Sequence, residues 1–426
     1  MNSKSSYKTL YGEVPTPSSL INDMLNLLPI HFFKKKNLKY LDPGCGNGAF
    51  SLELLSRLKP FHNNAINNIY LCEINTIYKE SLQSLFKSNN VYITNYLNWN
   101  SPYSYDLILG NPPFNFKGLK KTPTNSQINK KKDGETIWPE FIKKSISLLN
   151  PNGFLLFITP AIWLKPDKAK IFHFINQYKL HYMYPLSSSQ ISILFERNAQ
   201  TPCVYFLLEK TQPLPSFQLF DPDQKKYLLF PFSVSENLPI PMRCIRIIIL
   251  LKEICKKYGT LKIKKTNLPS KKSEISPHKS KYHCFCNIKT THLLHKKPIL
   301  IYEYSHQPLP YYGIPKVVFP HKMLGMPFLD SDGKYGISNR DCYIYQSNSK
   351  NNLERILNWF QTPEMLYLYD ATRYRMRYLE KYIFEFIPNI TNLPIHINRL
   401  TDLIPLKDYE KNIINSIQSK YNFDYE

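Results

Sequence analysis

Asp42-Pro43-Gly44-Cys45-Gly46-Asn47-Gly48-Ala49-Phe50 is the stretch that decides how this chain folds. An apolar run, Leu38 to Leu41, leads into it, and an amphipathic pattern, Ala49 to Leu58, leads out. Strand, glycine turn and helix in that order open a doubly wound sheet. Small residues in the turn let the backbone approach a ligand, and the helix start offers unpaired N–H groups. The spacing is Gly-x-Gly-x-Gly behind an Asp, not the Gly-x-Gly-x-x-Gly of dinucleotide binders.

The same alternation continues outward. Ile69 to Cys72 reads as a strand ending at Glu73, Val91 to Thr94 as a third and Leu107 to Leu109 as a fourth ending at Asn111. Trp138 to Leu149 has helical spacing, Asn150-Pro151-Asn152-Gly153 is a turn, and Phe154 to Thr159 is a buried strand. The expected fold is α/β, a Rossmann-like and mostly parallel sheet over residues 1–210, with ligands at the carboxyl ends of its strands. From 211 to 241 the prolines 213, 215, 222, 231, 239 and 241 predict a connector. A helix from about Met242 to Tyr258, a Lys-rich segment, short strands and the helical stretch Asn351 to Tyr369 predict a second, α+β domain over 242–426.

The 426 residues carry 55 Lys+Arg against 32 Asp+Glu, a formal charge of +23, which implies a polyanionic partner and first of all nucleic acid. The 31 Tyr and 25 Phe add rings that can stack on extruded bases. Eight scattered cysteines argue against a disulfide framework and for a reducing compartment. The polar start, Met1 to Leu10, lacks a signal-peptide core, and no run nears the roughly 18 apolar residues of a membrane span. A soluble, cytoplasmic protein without membrane contact is expected.

Asn111-Pro112-Pro113-Phe114 carries the chemistry. An amino group conjugated to a planar ring is a poor nucleophile, because its lone pair is delocalised. Acceptors on both its hydrogens would localise that pair. The Asn111 side-chain oxygen supplies one acceptor and the Pro112 carbonyl the other, while two prolines fix the backbone. Phe114 offers a face for stacking. A direct displacement then needs positioning and electrostatics rather than a covalent intermediate. A base inside a duplex cannot reach such a site, so it must be flipped out. Glu73, at the end of the second strand, suits the two ribose hydroxyls of a nucleoside-type cofactor.

Taken together, these motifs resemble the N6-adenine DNA methyltransferases of the gamma arrangement, the Taq-type and Eco57I-type modification methylases. The likeness covers about the first half of the chain. It implies a class I S-adenosylmethionine-dependent fold, with S-adenosyl-L-methionine as cofactor and adenine in double-stranded DNA as substrate. Gly12-Glu13-Val14-Pro15-Thr16-Pro17 is similar to the family's N-terminal motif, so Thr16 would help hold the methionine end of the cofactor. Asp42, Gly44, Cys45 and Gly46 match the cofactor loop and Glu73 the ribose acid. Asn95-Tyr96-Leu97 stands where the family has Asp-Phe-Leu, so Asn95 would accept from the cofactor adenine and Tyr96 would cover it. Leu194-Phe195 before Pro202 to Phe206 resembles the motif whose aromatic ring stacks on the second face of the flipped base, a role this assigns to Phe195. The start of the chain close to the first motif predicts modification without cleavage, by a monomer, with a separate cognate restriction endonuclease as a partner.

Other features are ambiguous. Lys130, Lys131 and Lys132, and Arg373, Arg375 and Arg377, are candidate phosphate contacts. Cys203 sits in an apolar strand and reads as structural. His283, Cys284, Cys286, His292 and His295 have poor zinc spacing, so no metal is expected. Rival readings are an RNA N6-adenine methyltransferase, a protein-glutamine methyltransferase of the release-factor type, and a DNA-binding relative without catalysis, the last hinted at by Pro15 and Asn95.

Overall fold

The computed structural model describes residues 11–117, 135–166, 170–266, 275–294, 297–321, 326–338, 342–375 and 379–421. The chain divides into two compact units, residues 1–220 with 229–237, and residues 221–228 with 238–426.

The first unit is built on a sheet of nine strands among the described residues. They are β1 (Tyr40–Pro43), β2 (Ile69–Glu73), β3 (Val91–Ile93), β4 (Tyr105–Gly110), β5 (Leu149–Pro160), β6 (Lys179–Leu186), β7 (Cys203–Glu209), β8 (Ser216–Asp221) and β9 (Lys226–Pro231). Their order across the sheet is 9-8-6-7-5-4-1-2-3. β1 pairs in parallel with β2 on one side and with β4 on the other, so the order reverses between β1 and β4. A crevice opens at the carboxyl ends of strands where the order reverses, which is where an α/β sheet binds ligands.

The central strands are apolar on both faces because helices cover both. Leu107, Ile108 and Leu109 of β4 and Leu155 to Ile158 of β5 are fully buried. Helix α1 (Ser18–Leu25) buries Leu20, Ile21, Met24 and Leu25. Helix α2 (Ala49–Leu58) buries Phe50, Leu54, Leu55 and Leu58 at a spacing that keeps them on one face. Helix α3 (Trp138–Leu148) buries Trp138, Phe141, Ile142 and Ile146. β7 runs antiparallel between β5 and β6, with Cys203 opposite both Pro160 and Leu186. An antiparallel strand starts where its neighbours end, so the segment before Cys203 arrives at the same edge as the parallel loops.

Residues 211–241 are not the expected connector. β8 and β9 lie in this stretch and extend the sheet. Pro213 and Pro215 precede β8, Pro222 lies between the strands and Pro231 ends β9, positions where a missing N–H costs no ladder bond. Asn150 to Gly153 belongs to β5 as an irregularity, the pairing jumping from Leu149–Tyr105 to Phe154–Leu107.

The second unit contains helix α5 (Ile245–Tyr258) and two four-stranded sheets. One pairs β10 (Lys264–Lys265), β17 (Cys342–Gln346), β14 (Lys316–Pro320) and β15 (Phe328–Asp330), and the other pairs β11 (Ile275–Ser276), β13 (Lys297–Ser305), β12 (Phe285–Leu294) and β16 (Gly336–Ile337). The single helix expected over Asn351 to Tyr369 is two, α6 (Lys350–Phe360) and α7 (Pro363–Leu368), because Pro363 cannot continue the first. Lys316 on β14 is fully buried, and its Nζ lies 2.5 Å from the equally buried Asp330 and 2.9 and 2.6 Å from the carbonyls of Tyr311 and Tyr335. Among the described residues no helix is long and apolar enough to cross a membrane, and no three His, Cys, Asp or Glu form a metal-holding group.

Removing one member of a buried ion pair strands the other, at a cost of about 3–5 kcal/mol. Asp330→Ala is expected to lower the unfolding free energy from urea titration by that amount, and the paired change Lys316→Met with Asp330→Leu to lower it less.

Candidate active site

The carboxyl ends of β1, β2, β3 and β4 open into one cavity of about 530 Å³. It collects most of the positions singled out in the first half of the sequence. Thr16, Asp42, Gly44, Cys45, Gly46, Glu73, Asn95, Tyr96, Asn111, Pro112, Pro113, Phe114 and Phe195 all line it.

The glycine turn is pinned to the second strand, the N–H groups of Gly44 and Cys45 donating to the Cys72 carbonyl at 2.7 and 3.2 Å. Its floor is acidic. Asp42 is almost wholly buried and accepts from the Ser51 hydroxyl of α2 at 2.9 Å. Burial outweighs that bond and pushes the Asp42 carboxyl up to about 7. Glu73 accepts from the N–H of Gly46 and the N–H of Asn75, each at 2.7 Å. Burial also raises its pKa, and those backbone bonds oppose the rise.

Asn111 follows β4 and its Nδ2 donates to the Thr16 hydroxyl at 3.0 Å and to the Val14 carbonyl at 3.4 Å. A backbone carbonyl carries no hydrogen, so the end of the amide that faces Val14 must be the NH2. Oδ1 is thereby left as the acceptor. The segment that supplies these partners is itself tightly seated. Gly12 has φ +72°, and a Cβ there would stand 2.2 Å from the Asn115 carbonyl oxygen. Only glycine tolerates both the dihedral and the approach. Gly44, at the same φ, comes close enough to Pro113 that a Cβ would lie 3.3 Å from its Cδ. The glycine turn, the N-terminal segment and the Asn-Pro-Pro-Phe turn are therefore packed on one another.

Asn95 caps the short 3₁₀ turn that follows β3, its Oδ1 accepting from the Leu97 N–H at 3.0 Å. The oxygen expected to serve a cofactor thus already has one partner, a cap that an Asp would provide equally well. Tyr96 is buried beneath it, its hydroxyl 3.0 Å from Ser145 and its ring 5.0 Å from Phe141.

Phe195 reaches the cavity from the far side of the sheet order. It follows helix α4 (Ser188–Leu194), which Ser187 and Gln190 start with a capping box. Glu196 and Arg197 then take φ values of 48° and 65°, and the Arg197 N–H closes on the Ser192 carbonyl at 2.6 Å. Consecutive non-glycine residues with left-handed φ cost on the order of 1–3 kcal/mol each and cluster at functional loops. This turn brings Asn198, Ala199, Gln200 and Thr201 to the cavity as well. No motif announced those four. Glu13 was equally unforeseen, although it lies inside the quoted N-terminal motif. Its carboxylate accepts from the Tyr78 hydroxyl and from Asn75 Nδ2, the latter at 3.5 Å, beside Glu73.

Cys203 is buried, as its strand position implied. The expected phosphate contacts fare differently. Lys130, Lys131, Lys132 and Arg377 lie outside the described residues. Arg373 pairs with Asp370 at 2.8 Å and Arg375 with Glu380 at 3.3 Å, so acids of the same unit already balance both charges.

A mostly parallel sheet that carries a glycine turn, the buried Glu73 and an Asn-Pro-Pro-Phe turn at one edge, with an antiparallel strand inserted beside β5, has the class I S-adenosylmethionine-dependent methyltransferase fold. Residues 32–191 match the family described as Eco57I restriction-modification methylase. Over 167 residues the chain is 28% identical to the type II methyltransferase M.TthHB8I of Thermus thermophilus, which covers 37% of this chain and 36% of that protein. Over 148 residues it is 31% identical to the type II methyltransferase M.AccI of Acinetobacter calcoaceticus, covering 32% of this chain and 26% of that one. The matches thus span about a third or less of these curated relatives. Among solved structures, the type IIG restriction endonuclease BpuSI aligns over 97% of this chain and 61% of its own, at 13% identity and a TM-score of 0.43, a likeness too loose to carry an argument.

Asp42 generates a pH prediction. Its folded pKa of about 7 lies above the ordinary Asp value of 3.8, so the folded state holds this proton more tightly than the unfolded chain. The favourable contribution is complete at low pH and is lost as pH rises through about 7. Asp42→Asn keeps the shape and cannot ionise. Urea midpoints of wild type and D42N are expected to be close near pH 4 and to separate up to about pH 7, with the variant the more stable.

Proposed function

We propose that this chain is a site-specific DNA methyltransferase that transfers a methyl group from S-adenosylmethionine to N6 of an adenine flipped out of duplex DNA. The observation that carries this reading is the orientation of Asn111, whose amide oxygen is left as an acceptor in the same cavity as the glycine turn and Glu73.

The pocket fits the cofactor by its donors and acceptors. Glu73 lines the cavity as an acceptor for a ribose diol, and Glu13 beside it adds negative character that suits a cationic ligand. Gly44, Cys45 and Gly46 supply a turn of small section, Asn95 and Tyr96 the adenine side, and Thr16 the methionine side. When bound, S-adenosylmethionine supplies a methyl group made electrophilic by its sulfonium. The chain's own part is to prepare the amino group that receives it. Asn111 Oδ1 and the Pro112 carbonyl accept its two hydrogens and localise the nitrogen lone pair. Pro112 and Pro113 hold those acceptors in one direction. Phe114 and Phe195 enclose the base between rings, which contributes about 1–3 kcal/mol per stacked base. Exclusion of water strengthens each of these polar contacts.

DNA as the substrate is supported by the formal charge of +23. With Arg373 and Arg375 paired internally, we assign phosphate contact to the exposed loop Pro277–Cys284, which carries Lys279 and Lys281 around Tyr282, a ring 71% exposed. A cognate endonuclease, a monomeric state and action in the cytoplasm complete the proposal.

The test is transfer of labelled methyl from S-adenosylmethionine to unmodified duplex DNA, with RNA and release factor as competing substrates. Label on adenine N6 of DNA is the expected result, and label only on RNA or protein would overturn the assignment. Asn111→Ala is expected to lower turnover by more than about 10²-fold while duplex binding stays within about threefold.

A further inference from the structure

We infer that Thr16 is the positioning residue that holds the Asn111 amide in its working place, in the orientation that the Val14 carbonyl selects, and that Gly12 to Thr16 form a strap built to hold it there. The inference rests on the methylation reading above and deepens it. A side-chain amide has two unlike ends, and rotation about its last bond is broad and roughly two-fold. In one orientation Asn111 offers an acceptor to the target amino group. Turned over, it offers N–H hydrogens to a group that itself donates, and the lone pair is no longer localised. The amide must therefore be selected from outside.

The strap makes that selection with two acceptors for the two N–H hydrogens. The Val14 carbonyl lies 3.4 Å from Nδ2, and the Thr16 hydroxyl, at 3.0 Å, is the closer partner. The carbonyl is the element that cannot be satisfied by a turned amide. The hydroxyl is the stronger hold by distance. Both come from residues about a hundred positions away in sequence, separations of 97 and 95. The strap is kept in place by Gly12, whose backbone presses on the Asn115 carbonyl, four residues beyond Asn111. It thus grips the catalytic turn at both ends. Because Thr16 Oγ1 accepts from Asn111, its own hydroxyl hydrogen must point elsewhere, and Thr16 also lines the cavity. One hydroxyl can accordingly contact a ligand and orient the catalytic amide together.

The test compares Thr16→Val, which keeps the shape without the hydroxyl, with Thr16→Ser, which keeps the hydroxyl. Methyl transfer from labelled S-adenosylmethionine to DNA from a methylation-free host gives kcat and KM, calorimetry gives cofactor affinity, and thermal melting reports folding. T16V is expected to lose roughly 10- to 100-fold in kcat at saturating cofactor, the scale of a misplaced reacting group, a loss separate from any rise in cofactor KM that the missing methionine-side contact brings. T16S is expected to recover to within about threefold of wild type. Wild-type kcat in T16V, equal losses in both variants, or a raised KM at unchanged kcat would overturn the positioning role. A wild-type chain that transfers no methyl group would overturn the reaction itself, and this inference with it.

Discussion

One amide group governs the arrangement of this site. For the proposed transfer Asn111 has to present oxygen, not nitrogen, and its own turn supplies no partner that makes the choice. The partners that do are a backbone carbonyl and a hydroxyl from the start of the chain, Val14 and Thr16. Bringing them there requires the N-terminal segment to lie against the Asn-Pro-Pro-Phe turn, which requires glycine at position 12. It also requires β4 beside β1, since the order reversal between those strands puts the catalytic turn next to the glycine turn. The contact between Gly44 and Pro113 is the visible result.

The electrostatics of the pocket run against those of the chain. A protein with a formal charge of +23 encloses Asp42, Glu73 and Glu13 in one cavity. Burial raises the pKa of Asp42 and of Glu73. Backbone N–H groups restrain Glu73, and Ser51 restrains Asp42. Such a site carries an unfavourable charge burial that a cationic ligand would relieve, whereas the positive exterior favours a polyanion.

In the second unit, charge does structural work first. Lys316 and Asp330 are buried together, Arg243 bonds Asp223 at 2.6 Å and Asp370 at 3.0 Å, and Arg246 pairs with Glu410. Arg373 joins the same Asp370. Counting basic residues therefore overstates what is left for a nucleic acid. The distinction between a paired arginine and an exposed lysine such as Lys279 is one of tertiary contact, and the sequence pattern around Arg373 to Arg377 carries no trace of it.

The sequence by itself determined the local units and their chemistry. Asp42 to Phe50 had to be a strand, turn and helix, Glu73 had to end a strand, and Asn111 to Phe114 had to form a rigid turn with two acceptors, because each depends on neighbours within a few residues. The motif around Phe195 was legible too, and the fold places that ring on the cavity. The prolines of 211–241 misled because their effect depends on whether they fall inside strands or between them, and pairing partners lie elsewhere in the chain. Asn95, Glu13 and the loop 198–201 show the same limit. Which lone pair is already used, which acid stands beside Glu73 and which loop closes the cavity are set by contacts between distant segments. The end of Asn111 left as an acceptor belongs to that class: composition supplies the amide, and only a fold that carries Val14 and Thr16 across 97 and 95 positions decides which way it points.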